Sequence, residues 1–209
     1  DIIIDEDKQE IRMYFHGPAK NAEKGAQKTG FATSKDGIDF SPSETILGDC
    51  YFRVFRWKDY FYAIDRSGML SRSKDGITAF ENRSNLIKKV RHSAIMINGD
   101  QLLVFYSRVG DSPERIVVTT VALKDDWNEW VASNPLDVIK PEKDYEGVNY
   151  PNKPSLFGQQ TKVQQLRDPC IFQEDNKIYL FYSLAGEMGI AMAEIELLMK
   201  DKNEPTVKK

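Results

Sequence analysis

Cysteine is scarce in this chain. Cys50 and Cys170 are the only two in 209 residues, too few for a disulfide framework, and both read as core thiols. Neither sign of charge prevails: 29 Lys and Arg against 32 Asp and Glu leave a net charge of -3. That balance argues against nucleic acid or an anionic membrane as the main partner. No apolar run approaches the ~18 residues of a membrane span. Histidine is limited to His16 and His92, no Cys/His cluster has metal-ligand spacing, and no metal or other cofactor is expected. Helical periodicity is weak, except over Ile195 to Met199. The chain opens on Asp1 rather than Met. Localisation and oligomeric state are not legible.

What the chain does have is repetition. Ser34-Lys35-Asp36-Gly37-Ile38 recurs as Ser73-Lys74-Asp75-Gly76-Ile77, 39 positions later. Asp-Gly between apolar or β-branched residues is a hairpin signal, because Gly accepts the positive φ of a tight turn. These serines are turn residues rather than nucleophiles, since no histidine is spaced to act as their base. A polar turn followed by an aromatic strand recurs as well. It appears before Ile11-Arg12-Met13-Tyr14-Phe15, Tyr60-Phe61-Tyr62, Leu102-Leu103-Val104-Phe105-Tyr106 and Ile178-Tyr179-Leu180-Phe181-Tyr182.

Short strands with frequent turns indicate an all-β sandwich, barrel or propeller. A period near 40 with about four strands per unit selects the propeller. The expected fold is an all-β, five-bladed β-propeller with about four blades present in this chain. The blades are expected at about 1–45, 46–88, 89–140 and 160–199. The third is expected to end on Trp130-Val131, and the fourth to have three strands. Segment 141–165, with Pro141, Pro151 and Pro154, reads as a rim loop of the length that usually carries function. Lys20 to Lys28 reads as a solvated excursion, and 200–209 as a frayed tail. An N-terminal extension is expected to supply a further blade and the closing strand.

In an antiparallel blade, the starts of inner strands share a rim with the ends of second strands. Strand starts contribute Arg53, Arg91, His92, Arg167 and Asp168 to that rim. Second-strand ends contribute His16, Asp65, Arg66, Arg108, Asp111 and Glu187. Glu146 can reach it from the 141–165 loop. A concave polar mouth is the default ligand site. An Arg within Tyr51-Phe52-Arg53-Val54-Phe55 must find a partner or face a wet cavity. Arg108 and Asp111 can also simply pair with each other.

The segment around Arg167-Asp168-Pro169, followed by a polar turn and Tyr179-Leu180-Phe181-Tyr182-Ser183, resembles the five-bladed propeller glycoside hydrolases of families 43 and 32. The likeness is good from Arg167 to Ile190 and loose over the other units. It implies a carbohydrate substrate and cleavage of glycosidic bonds by carboxylates around a central funnel. On that resemblance Asp168 matches the substrate-orienting, transition-state-stabilising carboxylate, and Glu187 or Glu146 the general acid. The family's base would lie on an early blade that is absent here, and Glu146-Gly147-Val148 matches the acid motif only in part. Glycoside cleavage needs one carboxyl protonated and another ionised, and Arg167 beside Asp168 suits the ionised role. Arg53, His92, Arg167, His16, Arg108 and Asp65 are the expected substrate-binding residues. The alternative is a non-catalytic propeller that binds glycans or proteins.

Overall fold

In the computed structural model of the chain, residues 1–18, 26–78, 80–156, 158, 161–200 and 204–208 are described. The excursion expected over Lys20 to Lys28 falls mostly outside them, and its last residues belong to a strand. The chain divides into two compact units, Asp1–Lys88 and Lys89–Lys209.

The first unit holds two antiparallel sheets. One runs β1 (Ile2–Asp5), β2 (Glu10–Pro18), β3 (Gln27–Ser34) and β4 (Ser41–Pro42), with β5 (Gly48–Asp49) also paired to β3. The other runs β6 (Arg53–Trp57), β7 (Tyr60–Ile64), β8 (Met69–Ser73) and β9 (Glu81–Asn85). Tyr14, Phe31, Phe52, Val54 and Phe61 bury between them. The second unit repeats the plan. Its sheets are β10 (Val90–Asn98), β11 (Gln101–Arg108), β12 (Ile116–Ala122) and β13 (Leu136–Ile139), then β14 (Arg167–Glu174), β15 (Lys177–Leu184), β16 (Gly189–Lys200) and β17 (Glu204–Lys208). Leu103, Phe105, Val118, Leu166, Leu180 and Tyr182 form its core. Full burial of a side chain of this size is worth about 1.5–3 kcal/mol, so the aromatic second strands carry much of each unit's stability.

The turns explain why the strands start where they do. Each turn into a second strand contains a residue in the left-handed region: Gln9, Lys58, Gly99, and Asp175 with Asn176. The Asp-Gly motifs link third to fourth strands. Asp75 Oδ1 accepts from the amides of Ile77 at 3.0 Å and Thr78 at 2.9 Å. Burial pushes the Asp75 carboxyl up, but these bonds and the Thr78 and Ser73 hydroxyls outweigh it and hold it at about 2. Gly76 adopts φ +75°, and a Cβ there would sit 2.8 Å from Phe61 Cγ. Gly99, at φ +58°, has nothing within 4 Å of the same position. Gly76→Ala is therefore expected to cost about 2 kcal/mol or more, and Gly99→Ala about 1 kcal/mol, measured as the shift in urea midpoint.

Several expectations change. The outer strand of the third sheet is Leu136–Ile139, not Trp130-Val131. Trp127–Glu129 instead forms a 3-10 turn capped by the Asp126 side chain, and the Trp130 indole donates to the Lys124 carbonyl at 2.8 Å. The fourth sheet does have a fourth strand: Glu204–Lys208 pairs with Glu196 to Lys200, where a frayed tail was expected. Ile195 to Met199 is strand, not helix. Ile195 faces the core and its neighbours Glu194 and Glu196 are exposed, which is the period-2 alternation of a half-buried strand. Cys50 is a core thiol, raised by burial, but Cys170 is exposed. Among the described residues no helix is long and apolar enough to cross a membrane.

Candidate functional site

β10 packs beside β14, and both lose register at the same kind of place. Pairing of β10 with β11 jumps from Val90 to Ser93, so Arg91 and His92 fall in the irregular step. Pairing of β14 with β15 jumps from Arg167 to Cys170, so Asp168 and Pro169 fall there. Asp168 has φ +51°, a conformation an L residue adopts only when its surroundings hold it. Bulges of this kind re-aim side chains. In each strand the arginine turns inward and its neighbour reaches the surface. Arg167 is fully buried and Arg91 nearly so, while the His92 and Asp168 side chains are 19% and 32% exposed.

The surface pair is an imidazole held by a carboxylate: His92 Nδ1 contacts Asp168 Oδ1. Burial raises the Asp168 carboxyl. Hydrogen bonds from His92 and Ser183 and the positive charges of His92 and Arg167 prevail, and hold it below the usual carboxylate range. Beneath lies a chain of alternating charges. Arg167 Nη1 donates to Glu187 Oε1 at 2.8 Å, and Nη2 donates to Glu114 Oε2 at 2.6 Å and to Gln165 Oε1. Arg91 meets the same two carboxylates, with Nε 3.5 Å from Glu114 Oε1 and Nη2 3.7 Å from Glu187 Oε1. Two guanidinium groups are thus matched by two carboxylates in a place where an unmatched charge is costly.

Glu187 sits in the turn between β15 and β16 after Ala185 and Gly186, both at positive φ, and its side chain is 38% exposed. Glu146 is placed differently. It is buried, its Oε1 accepts from Tyr182 Oη at 2.8 Å, and its Oε2 accepts from the amides of Glu142 and Lys143 at 2.8 and 3.0 Å. Burial first, then this bond, pushes the Tyr182 hydroxyl up. Glu146 so fastens the 141–165 loop to β15. The loop's far side is tied by Gly110 N to Ser155 O at 2.6 Å and by Gln165 Nε2 to Lys153 O at 2.9 Å. Arg108 pairs with Asp111 at 3.0 Å.

His16, Arg53 and Asp65 belong to the first unit. His16 lies 3.9 Å from the Tyr51 ring, centroid to centroid. With Phe15, Thr29 and Arg53 they line a depression of about 310 Å³. Asp65 is buried in the turn between β7 and β8, its Oδ1 accepting from Ser67 N at 2.7 Å and Met69 N at 3.0 Å. The second unit therefore brings together His92, Arg167, Asp168 and Glu187, and leaves Glu146 and Arg108 engaged elsewhere. Glu114 and Gln165 were missed by sequence reasoning. The available signal was an arginine at the start of each inner strand, a cation that needs an anion once it is enclosed. Among the described residues no group of three or more His, Cys, Asp or Glu side chains is placed to hold a metal ion.

Comparison with known proteins finds the same fold elsewhere. A thermostable family-43 glycoside hydrolase superposes with a TM-score of 0.63 at 16% identity, over 93% of this chain and 66% of that one. The chain has the β-propeller fold of the family-43 glycoside hydrolases. An endo-1,4-β-xylanase from Bacteroides thetaiotaomicron gives a TM-score of 0.64 at 11% identity, over all of this chain and 74% of that one. A Cellvibrio cellulosa α-L-arabinanase complexed with arabinohexaose gives 0.56 at 15%, over 99% and 75%. In sequence the chain is 39% identical over 221 residues to an uncharacterized protein of Acanthamoeba polyphaga mimivirus. It spans 62% of that relative's length. No family model matches the chain.

Proposed function

We propose that the protein carrying these residues hydrolyses glycosidic bonds, with the His92–Asp168 mouth as its site. The observation that carries this reading is the depressed, histidine-held carboxylate of Asp168, placed at the surface of a fold shared with glycoside hydrolases. Asp168, ionised, orients a sugar and stabilises the positive charge that grows at the anomeric carbon. Glu187 is the better placed of the two candidate acids, because it reaches solvent where Glu146 is enclosed. His92 and the Arg167-backed surface hold sugar hydroxyls, and the His16–Tyr51–Arg53 depression is a second carbohydrate contact. The neighbours' names include xylanase and arabinanase, so aryl xylosides and arabinosides head the substrate panel. Release of aryl alcohol by the full-length protein, lost in Asp168→Asn, supports the reading; no turnover on any glycoside offered removes it.

One observation favours a second reading, a glycan-binding propeller without catalysis. Both candidate acids are engaged as acceptors, Glu187 by Arg167 and Glu146 by Tyr182, and a donor needs a proton to give. Saturable heat of binding to xylan or arabinan oligosaccharides, with no cleavage, selects that reading.

On the same view the ring has five blades, one supplied from outside these 209 residues. Ile2, Ile4 and Phe15 on one face of the first sheet, and Phe172, Ile190 and Met192 on one face of the last, are each at least 41% exposed. A further sheet would cover such faces. Phe172→Glu is then expected to cost about 2 kcal/mol in the full-length protein and under about 0.5 kcal/mol in residues 1–209 alone, compared by urea unfolding.

A further inference from the structure

We propose that Glu114 is the positioning residue of this site, a buried carboxylate that sets the distance between His92 and Asp168 by holding the arginine beside each of them. The inference needs no particular substrate, and stands whether the mouth cleaves a glycoside or only binds one.

Glu114 lies just before β12 and is fully buried. Its backbone is already tied to the approach to β14: it bridges Gln165 in parallel, and its carbonyl accepts from Leu166 N at 3.0 Å. Its side chain then divides between two strands. Oε2 accepts from Arg167 Nη2 at 2.6 Å, and Oε1 meets Arg91 Nε at 3.5 Å as an ion pair without a hydrogen bond. One carboxylate thus spans the seam between the β10 and β14 sheets.

The position of the two arginines gives this clamp its consequence. Arg91 immediately precedes His92, and Arg167 immediately precedes Asp168. Neighbouring side chains of an extended strand point to opposite faces. Fixing Arg91 inward therefore sends His92 outward; at Arg167 the same inward anchor fixes where the left-handed turn at Asp168, φ +51°, begins. Both dipeptides lie where the ladder is interrupted, so strand pairing alone does not set these side chains. The guanidinium contacts supply what the missing ladder bonds do not. A carboxylate suits this point because its two oxygens face two cations at once, Arg167 through a hydrogen bond and Arg91 through charge alone. A Gln of the same shape offers one oxygen, and turns its amide protons toward the other guanidinium. Both arginines would then compete for Glu187, and the two strands would lose their common anchor.

The test is nitrogen-15 NMR of the His92 imidazole in the full-length protein, assigned by comparison with His92→Gln. In the native protein a hydrogen-bonded Nδ1 proton is expected, from the contact with Asp168. Glu114→Gln is expected to abolish that signal while unfolding stays cooperative. Should Glu114→Gln not fold, the double variant Glu114→Gln/Arg91→Gln removes one charge of each sign, and is expected to fold and to lose the signal. Thr119→Val, which removes a part-buried hydrogen bond to the Ser133 carbonyl elsewhere in the same unit, is expected to keep it. A native His92 signal in Glu114→Gln or in the double variant overturns the proposal. So does loss of the signal in Thr119→Val, which would make it a report on general loosening.

Discussion

Asp168→Asn is expected to lower glycoside turnover by about 10²–10⁴-fold, the range seen when one preorganised electrostatic or proton-handling group is removed, with the fold retained. The substitution keeps the side chain's shape and one acceptor for His92 and Ser183. It removes only the charge, so lost activity reports on charge and not on packing. The pH dependence of stability gives an independent check. The folded carboxyl lies below its ordinary value, because the His92 and Ser183 bonds and the nearby positive charges overcome burial. A depressed carboxyl contributes stability that is fully present above its unfolded value, near 3.8. That contribution is lost as pH falls through the lower folded value. Native protein and Asp168→Asn should therefore differ most in urea midpoint at pH values well above 3.8, and converge as the pH falls through the lower folded value. Unchanged turnover in the variant would end the catalytic role; a constant difference in midpoint across that range would end the electrostatic one.

Arg167→Met is expected to destabilise the second unit by about 3–5 kcal/mol. Arg167 is fully buried and its guanidinium serves Glu114, Gln165 and Glu187 at once. Methionine fills much of the volume but leaves the enclosed Glu114 carboxylate to Arg91 alone. Most folded domains are stable by only ~5–15 kcal/mol, so this single change consumes a large part of the margin. Arg167→Lys should recover less than half of the loss, because one ammonium cannot reach three acceptors with the geometry of a guanidinium fork. Urea unfolding of the native, Lys and Met forms measures both numbers. A loss below about 1 kcal/mol for Met would mean that the charge chain contributes little to the fold.

The motif singles out Asp168, yet the contact that holds its carboxylate is not in the motif. The Arg-Asp-Pro sequence places a carboxylate at a strand mouth; it does not announce φ +51° or a histidine 76 residues upstream. His92 was picked out as a strand-start residue, without its partner. The sequence makes Glu146 a general-acid candidate on the 141–165 loop; the structure buries it against Tyr182, where it fastens that loop. Glu114 drew no notice because nothing near it in the chain marks it; its partner Arg167 is 53 residues away.

By itself the sequence determined the local periods of this protein. Asp-Gly at the same step of two repeats, left-handed turns before four aromatic strands and alternation along those strands are short-range consequences of backbone sterics and apolar burial. Four antiparallel meanders follow from them. Only the tertiary structure decided which charges meet. Arg91, Glu114, Arg167 and Glu187 come from four separated segments, and their pairing has no sequence period. It is selected by the cost of enclosing a charge without a counter-charge, which exists only once the sheets have closed over it.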